Sequence, residues 1–416
     1  MTDSEPDKEP AKSEAEIPDA AESLGLMEPM RVSDGSRYAP ALTELSLELA
    51  TRSTGLLRSL PEGISGALAD LVRSMNCYYS NLIEGHDTHP IDIERALEGD
   101  YSHNPEKRNL QLEAKAHIEV QRWIDGLDDP AALCSIDGIR EIHRRFCELM
   151  PDELLWVEDP ESGMKEPVIA GEYRTGYAKV GRHIAVSPGA IDRFLSRYEG
   201  AYKSLGKSAT IVATAAAHHR LLWIHPFADG NGRVTRLLSY ALLKGAMETG
   251  GIWSVARGLA RNAGRYKSLL ATCDQPRRND LDGRGTLSEE ELASFSRFFL
   301  ETCIDQVDFM EKLMEPQRLR DRIILWAEEE IRAKNLPPKS VQVLDAILLR
   351  GQLARGDVES LLDVPERTAR RITSALLKSR VLSSESTRAP LKLAFPAALA
   401  GRFMPGLFPD APYEES

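Results

Sequence analysis

The chain has 416 residues, 42% of them hydrophobic and 28% charged, enough apolar material for a sizeable core spread over two or three domains. A formal net charge of −12 excludes coating of nucleic acid or anionic membrane by the whole surface, though not a local basic patch. Five cysteines (Cys77, Cys134, Cys147, Cys273 and Cys303), few, odd in number and without a Cys-x-x-Cys pair, indicate neither a disulfide scaffold nor a zinc ribbon.

Residues 1–30 hold nine acids, two lysines and four prolines, a composition that predicts a disordered acidic tail. It contains no apolar signal-peptide core. Residues 31–106 read as an N-terminal helical region, in which Ile64, Leu68, Leu71, Val72 and Met75 recur at helical spacing. Residues 107–315 read as the central core, with helices over 107–126, 136–150, 189–205, 208–224, 232–248 and 288–314. Within it, Val168-Ile169 and His183-Ile184-Ala185-Val186 flank Gly171, Gly176 and Gly181, which predicts one β-hairpin over 167–188. The longest apolar helical run, Ile211 to Ala217, is far shorter than the ~20 residues that span a bilayer. The expectation is a cytoplasmic protein with no membrane partner.

A helix over 316–333 and the Leu336-Pro337-Pro338 stretch make a linker over 316–338. Residues 339–416 then read as a winged helix-turn-helix domain. Its helices are Val341 to Leu349, Asp357 to Leu362 and Glu366 to Ser379, and its wing strands run through Val381-Leu382 and Leu391 to Phe395. From Glu366 to Arg380 there are five cations against one acid, the surface such a domain presents to a major groove. DNA is therefore one expected partner; a protein-docking or homodimerising module with a solvated basic face is the competing reading of the same helix.

The chemistry lies in Ile224-His225-Pro226-Phe227-Ala228-Asp229-Gly230-Asn231-Gly232-Arg233-Val234-Thr235-Arg236. Pro226 ends the preceding helix. The glycines around Asn231 free the backbone to turn its amides inward, and loop amides at a helix start make an anion site. Arg233 and Arg236, three apart, share one face of the first turn and add two guanidinium groups suited to a multiply charged phosphate ester. His225 can act as a general base, and Asp229 is a hard oxygen ligand for Mg²⁺ bridging phosphates.

This stretch resembles the Fic family motif His-x-Phe-x-Asp/Glu-Gly-Asn-Gly-Arg-x-x-Arg at every fixed position. The resemblance covers residues ~60–310 and implies an all-α Fic/Doc catalytic core with a β-hairpin flap that docks the target by strand addition. It also implies a protein adenylyltransferase, which transfers AMP from Mg-ATP to a Ser, Thr or Tyr hydroxyl of a protein, itself included. On that reading His225 takes the hydroxyl proton, Phe227 anchors the loop, and Asp229 holds Mg²⁺. The amides of Gly230, Asn231 and Gly232 cradle the phosphates, Arg233 and Arg236 bind the β- and γ-phosphates, and Asn262 contacts the nucleotide. Upstream, Ser80-Asn81-Leu82-Ile83-Glu84-Gly85 is similar to the family's inhibitory helix, whose glutamate pairs with the second motif arginine, here Arg236. The resemblance leaves open transfer of another phosphate-linked group, removal of AMP with Glu84 positioning water, and a DNA-binding regulator whose Fic domain senses nucleotide.

Three other patterns imitate sites. Asp280 to Glu291 resembles a calcium loop, but Arg284 stands where an oxygen ligand is required; a surface loop ending in a capping box of Ser288 and Glu291 explains it better. Gly206-Lys207-Ser208 lacks the glycine spacing of a phosphate-binding loop, and His218 and His219 lack a partner at metal-ligand spacing.

Overall fold

The computed structural model describes residues 17–158, 163 and 165–409. Three helices come first: α1 (Ala39–Ser59), α2 (Glu62–Ile83) and α3 (Pro90–Leu97). Next are α4 (Pro105–Asp125), with Asn104 capping its N-terminus, and α5 (Ile136–Glu148), capped by Ser135. Two short antiparallel ribbons follow, β1 (Trp156–Glu158) with β2 (Lys165–Pro167) and β3 (Lys179–Val180) with β4 (His183–Ile184). The centre is built by α6 (Ile191–Tyr202), α7 (Lys207–Ile224), α8 (Asn231–Ala246), α9 (Val255–Arg261), α10 (Ala263–Thr272) and α11 (Glu289–Leu313).

Helix α7 lies in the middle of the core. Ala213, Ala215, Ala216, Ala217, Leu221 and Ile224 are all buried, and α8, α1, α6 and α11 pack around it. A helix buried on every side, its Thr214, His218, His219 and Arg220 included, finds a place only inside a bundle. Helix α2 is enclosed between α4 and α9, so the N-terminal helices belong to the same core rather than forming a separate layer.

Two expectations are corrected. The tail assigned to residues 1–30 lies partly outside the described residues, but residues 17–30 are ordered and packed. Met27 and Met30 are buried, Asp19 and Glu22 pair with Arg193, and Glu28 pairs with Arg197. Arg220 donates to Pro29 O at 2.9 Å. Average composition hid the reason: each acid meets an arginine of α6, and two methionines supply apolar anchors. Secondly, the hairpin expected over 167–188 is present as β3–β4, turning at Gly181 (φ 60°), but its first strand is Lys179–Val180 and not Val168-Ile169, which follow β2 of a separate, preceding ribbon.

The C-terminal part comprises α12 (Pro316–Arg332), α13 (Ser340–Arg350), β5 (Gln352–Leu353), α14 (Asp357–Leu362), α15 (Glu366–Lys378), β6 (Leu382–Ser383), β7 (Leu391–Leu393) and α16 (Ala397–Phe403). The sheet is antiparallel in the order β5-β7-β6, so the expected pair of strands gains a third. Helix α12 is more than a linker: it packs on α13 and α16, with Trp326 edge-on to Phe403. Residues after α16 return to the core, where Tyr79 OH donates to Leu407 O (2.9 Å) and Arg257 to Gly406 O (2.7 Å). None of the described helices is long and apolar enough to cross a membrane.

Candidate active site

The loop between α7 and α8 is shaped by its ends. His225 terminates α7 in the left-handed region (φ 51°, ψ 61°), its N–H still bonded to Leu221 O at 3.0 Å. A residue other than glycine seldom adopts that conformation, and neighbours hold it here. Arg174, 4% exposed, does so: its Nε donates to His225 O (2.7 Å), and its terminal nitrogens reach Gly176 O, Val186 O and Ile224 O. Its backbone N–H also donates to Pro226 O. One buried guanidinium thus ties the β3–β4 ribbon to the loop.

Phe227 is buried and lies flat on the His143 ring, 3.9 Å between centroids and 2° apart in plane. The Asn231 side chain closes the loop on itself, accepting from Phe227 N–H (3.0 Å) and donating to Phe227 O (2.8 Å). Gly230, at φ 81°, supplies the left-handed residue from which α8 starts.

Both arginines of α8 are buried and ion-paired. Arg236 donates from Nε to Ser80 Oγ (2.8 Å), and from its terminal nitrogen to Ser80 O (3.1 Å) and Glu84 Oε1 (2.5 Å). Glu84 caps the C-terminus of α2 and projects across the start of α8. A methyl group at Gly232 would sit 2.2 Å from Glu84 Oε1, so this approach requires glycine there. Arg233 donates to Glu113 Oε1 and to Asp229 Oδ2 (2.8 Å), with the Phe146 ring 4.9 Å from its guanidinium carbon. Glu113 also meets His86 Nδ1 at 2.9 Å.

Charge follows this geometry. Burial works to raise the Glu84 pKa, yet the Arg236 charge and hydrogen bond outweigh it and hold the carboxyl below its ordinary value. Burial, reinforced by the Arg174 charge, lowers His225 to about 4, which leaves a neutral imidazole at neutral pH. Its Nδ1 is buried with no hydrogen-bond partner among the described residues. Burial lowers His143 to about 4 and His117 to about 3.

The expected residues from 225 to 236 therefore converge with Ser80 and Glu84. Asn262 stands at the α9–α10 junction, exposed, its amide donating back to Gly258 O at 2.9 Å. His218 bridges Ser239 and Tyr266, His219 meets Leu270 O and Asp274, and Ser288 caps α11 by accepting from Glu291 N–H. Sequence reasoning missed Arg174, Glu113, His86 and His143. Arg174, beside Gly171 and Gly176, had a faint signal as a cation in an apolar ribbon; Glu113 looks like any other charge on an amphipathic helix.

Residues 133–243 match the family model described as Fic/DOC family. Over 129 residues the chain is 41% identical to a "Protein adenylyltransferase Fic" of Culex quinquefasciatus, covering 30% of this chain and 25% of that relative. Over 170 residues it is 30% identical to a protein of the same name from Nematostella vectensis, covering 40% and 36%. The chain thus spans about a quarter to a third of the length of these curated relatives. A solved Fic family protein from Desulfovibrio desulfuricans G20 covers 88% of this chain and 98% of its own, at 16% identity and a TM-score of 0.49. The segment that matches the Fic/DOC family model, Leu133 to Leu243, holds the whole loop and both arginines of α8.

Proposed function

We propose that the protein transfers AMP from ATP to a Ser, Thr or Tyr hydroxyl of a protein, itself included, and that Glu84 restrains the reaction. The observation that carries this reading is the Glu84–Arg236 pair seated over Gly232, beside a neutral His225. In the proposed reaction His225 accepts the proton of the attacking hydroxyl, a new O–P bond forms at the α-phosphorus, and pyrophosphate departs. The amides of Gly230, Asn231 and Gly232 and the two guanidinium groups would meet charge as it develops on the phosphates. A carboxylate on Arg236 competes with a phosphate for the same donors, which accounts for restraint.

Mg²⁺ suits the donor set. Among the described residues no three His, Cys, Asp or Glu side chains form a metal-binding group, and Mg²⁺ in nucleotide sites takes one or two carboxylates with phosphate and water oxygens. Asp229, half exposed, is the carboxylate that would hold it. Bound there, the ion would neutralise phosphate charge.

Exposed Trp156, Ile169, Tyr177, Val180 and Ile184 around the two ribbons support docking of an extended target segment at the flap. All five thiols are free and buried, which fits the reducing cytoplasm. ATP labelled at the α- or the γ-phosphate tests the reaction with wild type and Glu84→Gly. Retained α-label, stronger in Glu84→Gly, is expected; retained γ-label would mean phosphate transfer, and no label on either protein would reject transfer.

A second reading concerns the C-terminal part, which we propose is a winged helix that contacts duplex DNA. Arg367, Arg371 and Lys378 are exposed on α15, and none of them pairs with a carboxylate among the described residues. A gel shift abolished by replacing those three residues with alanine is expected; unchanged mobility in every duplex tried would reject it.

A further inference from the structure

Arg233 is held from three sides. One terminal nitrogen donates to Glu113, the other to Asp229, and Phe146 covers its face. The two carboxylates differ in kind. The Asp229 side chain is 54% exposed and can turn away when a ligand arrives, whereas that of Glu113 is 4% exposed and fixed on α4. Both oxygens of Glu113 are occupied: Oε1 takes Arg233, and His86 Nδ1 lies 2.9 Å from Oε2 and 3.1 Å from Oε1. His86 comes two residues after Glu84, and its N–H donates to Asn81 O (2.9 Å), so it forms part of the turn that closes α2. Glu113 and His86 both lie outside the matched Fic/DOC segment.

A carboxylate buried this deeply is costly unless its charge is matched. Here the match is an arginine whose aim matters, because a long side chain left free spends rotamer entropy each time it meets an anion. Glu113 removes that freedom at one nitrogen and leaves the Asp229 side of the guanidinium to exchange its partner. Through His86 the same carboxylate holds the turn that carries Glu84.

We propose that Glu113 is a positioning residue: it fixes Arg233 for phosphate binding and, through His86, joins that arginine to the end of the restraining helix. The proposal rests on the reading of this site as one for nucleotide. Calorimetric titration of Mg-ATP into Glu84→Gly and into Glu84→Gly/Glu113→Gln tests it in the full chain. Glutamine keeps the shape and an acceptor, so a merely structural role leaves affinity unchanged. Positioning predicts about tenfold weaker binding or more at the same thermal midpoint, the scale of one charge-assisted hydrogen bond. Equal affinity would overturn the proposal.

Should the glutamine variant fail to fold, Glu113→Asp keeps the charge at shorter reach. A partial loss of affinity would then support the proposal, and parental affinity would overturn it. If Glu84→Gly itself takes up no nucleotide, the functional reading fails, and the link to α2 is judged by amide exchange over residues 82–88. Faster exchange in Glu113→Gln than in wild type supports it; identical exchange overturns it.

Discussion

Arg233 and Arg236 lie one turn apart on α8, yet opposite kinds of carboxylate meet them. Arg236 is met by Glu84, the residue that caps the C-terminus of α2. Arg233 is met by Glu113, deep in the middle of α4, and by the half-exposed Asp229. The difference separates holding from blocking. On the function proposed above, a side chain fixed mid-helix would set the pose of an arginine, whereas one at a helix terminus would occupy a phosphate's place and leave it.

The largest effect expected from breaking this comparison lies outside both pairs. His225→Ala leaves the two arginines and their carboxylates untouched, so it should cost roughly 10³-fold in transfer rate while Mg-ATP still binds. Rates and calorimetry in the Glu84→Gly background would check it. Next comes Arg174→Ala, which strips four carbonyls of a buried donor and frees the left-handed His225. Chemical denaturation should show a loss of about 3 kcal/mol, with the rate falling while the ATP affinity set by the arginines changes little.

The smallest effect is a profile. Because His225 is held to about 4, its base form is complete well above that value. Transfer by Glu84→Gly should therefore stay level from about pH 6 to 8 and decline only as pH falls toward 4. An inflection near the ordinary histidine value would show that the imidazole is not buried as described.

How much of this was legible in the sequence depends on spacing. The stretch from His225 to Arg236 is contiguous, so its turn chemistry and helix start declared themselves, and Glu84 could be recognised from a six-residue pattern. The helices of the core were legible because their apolar faces repeat over many turns, as in α2 and α11. Glu113, His86 and Arg174 were not, since each acquires its role only when α4, the turn after α2 and the ribbon are brought together by tertiary packing. Residues 17–30 misled for a related reason: charge density reads as disorder until the arginines of α6 are placed opposite it. The third strand β5, two residues long, carries too little pattern to see.

The central claim is that Glu84 occupies donors that a nucleotide needs. Titration of Mg-ATP into the wild-type chain and into Glu84→Gly measures this directly. The account predicts tighter uptake by the variant, by about tenfold or more, as expected when a buried charge-assisted pair no longer competes. Equal affinity in the two proteins would contradict it.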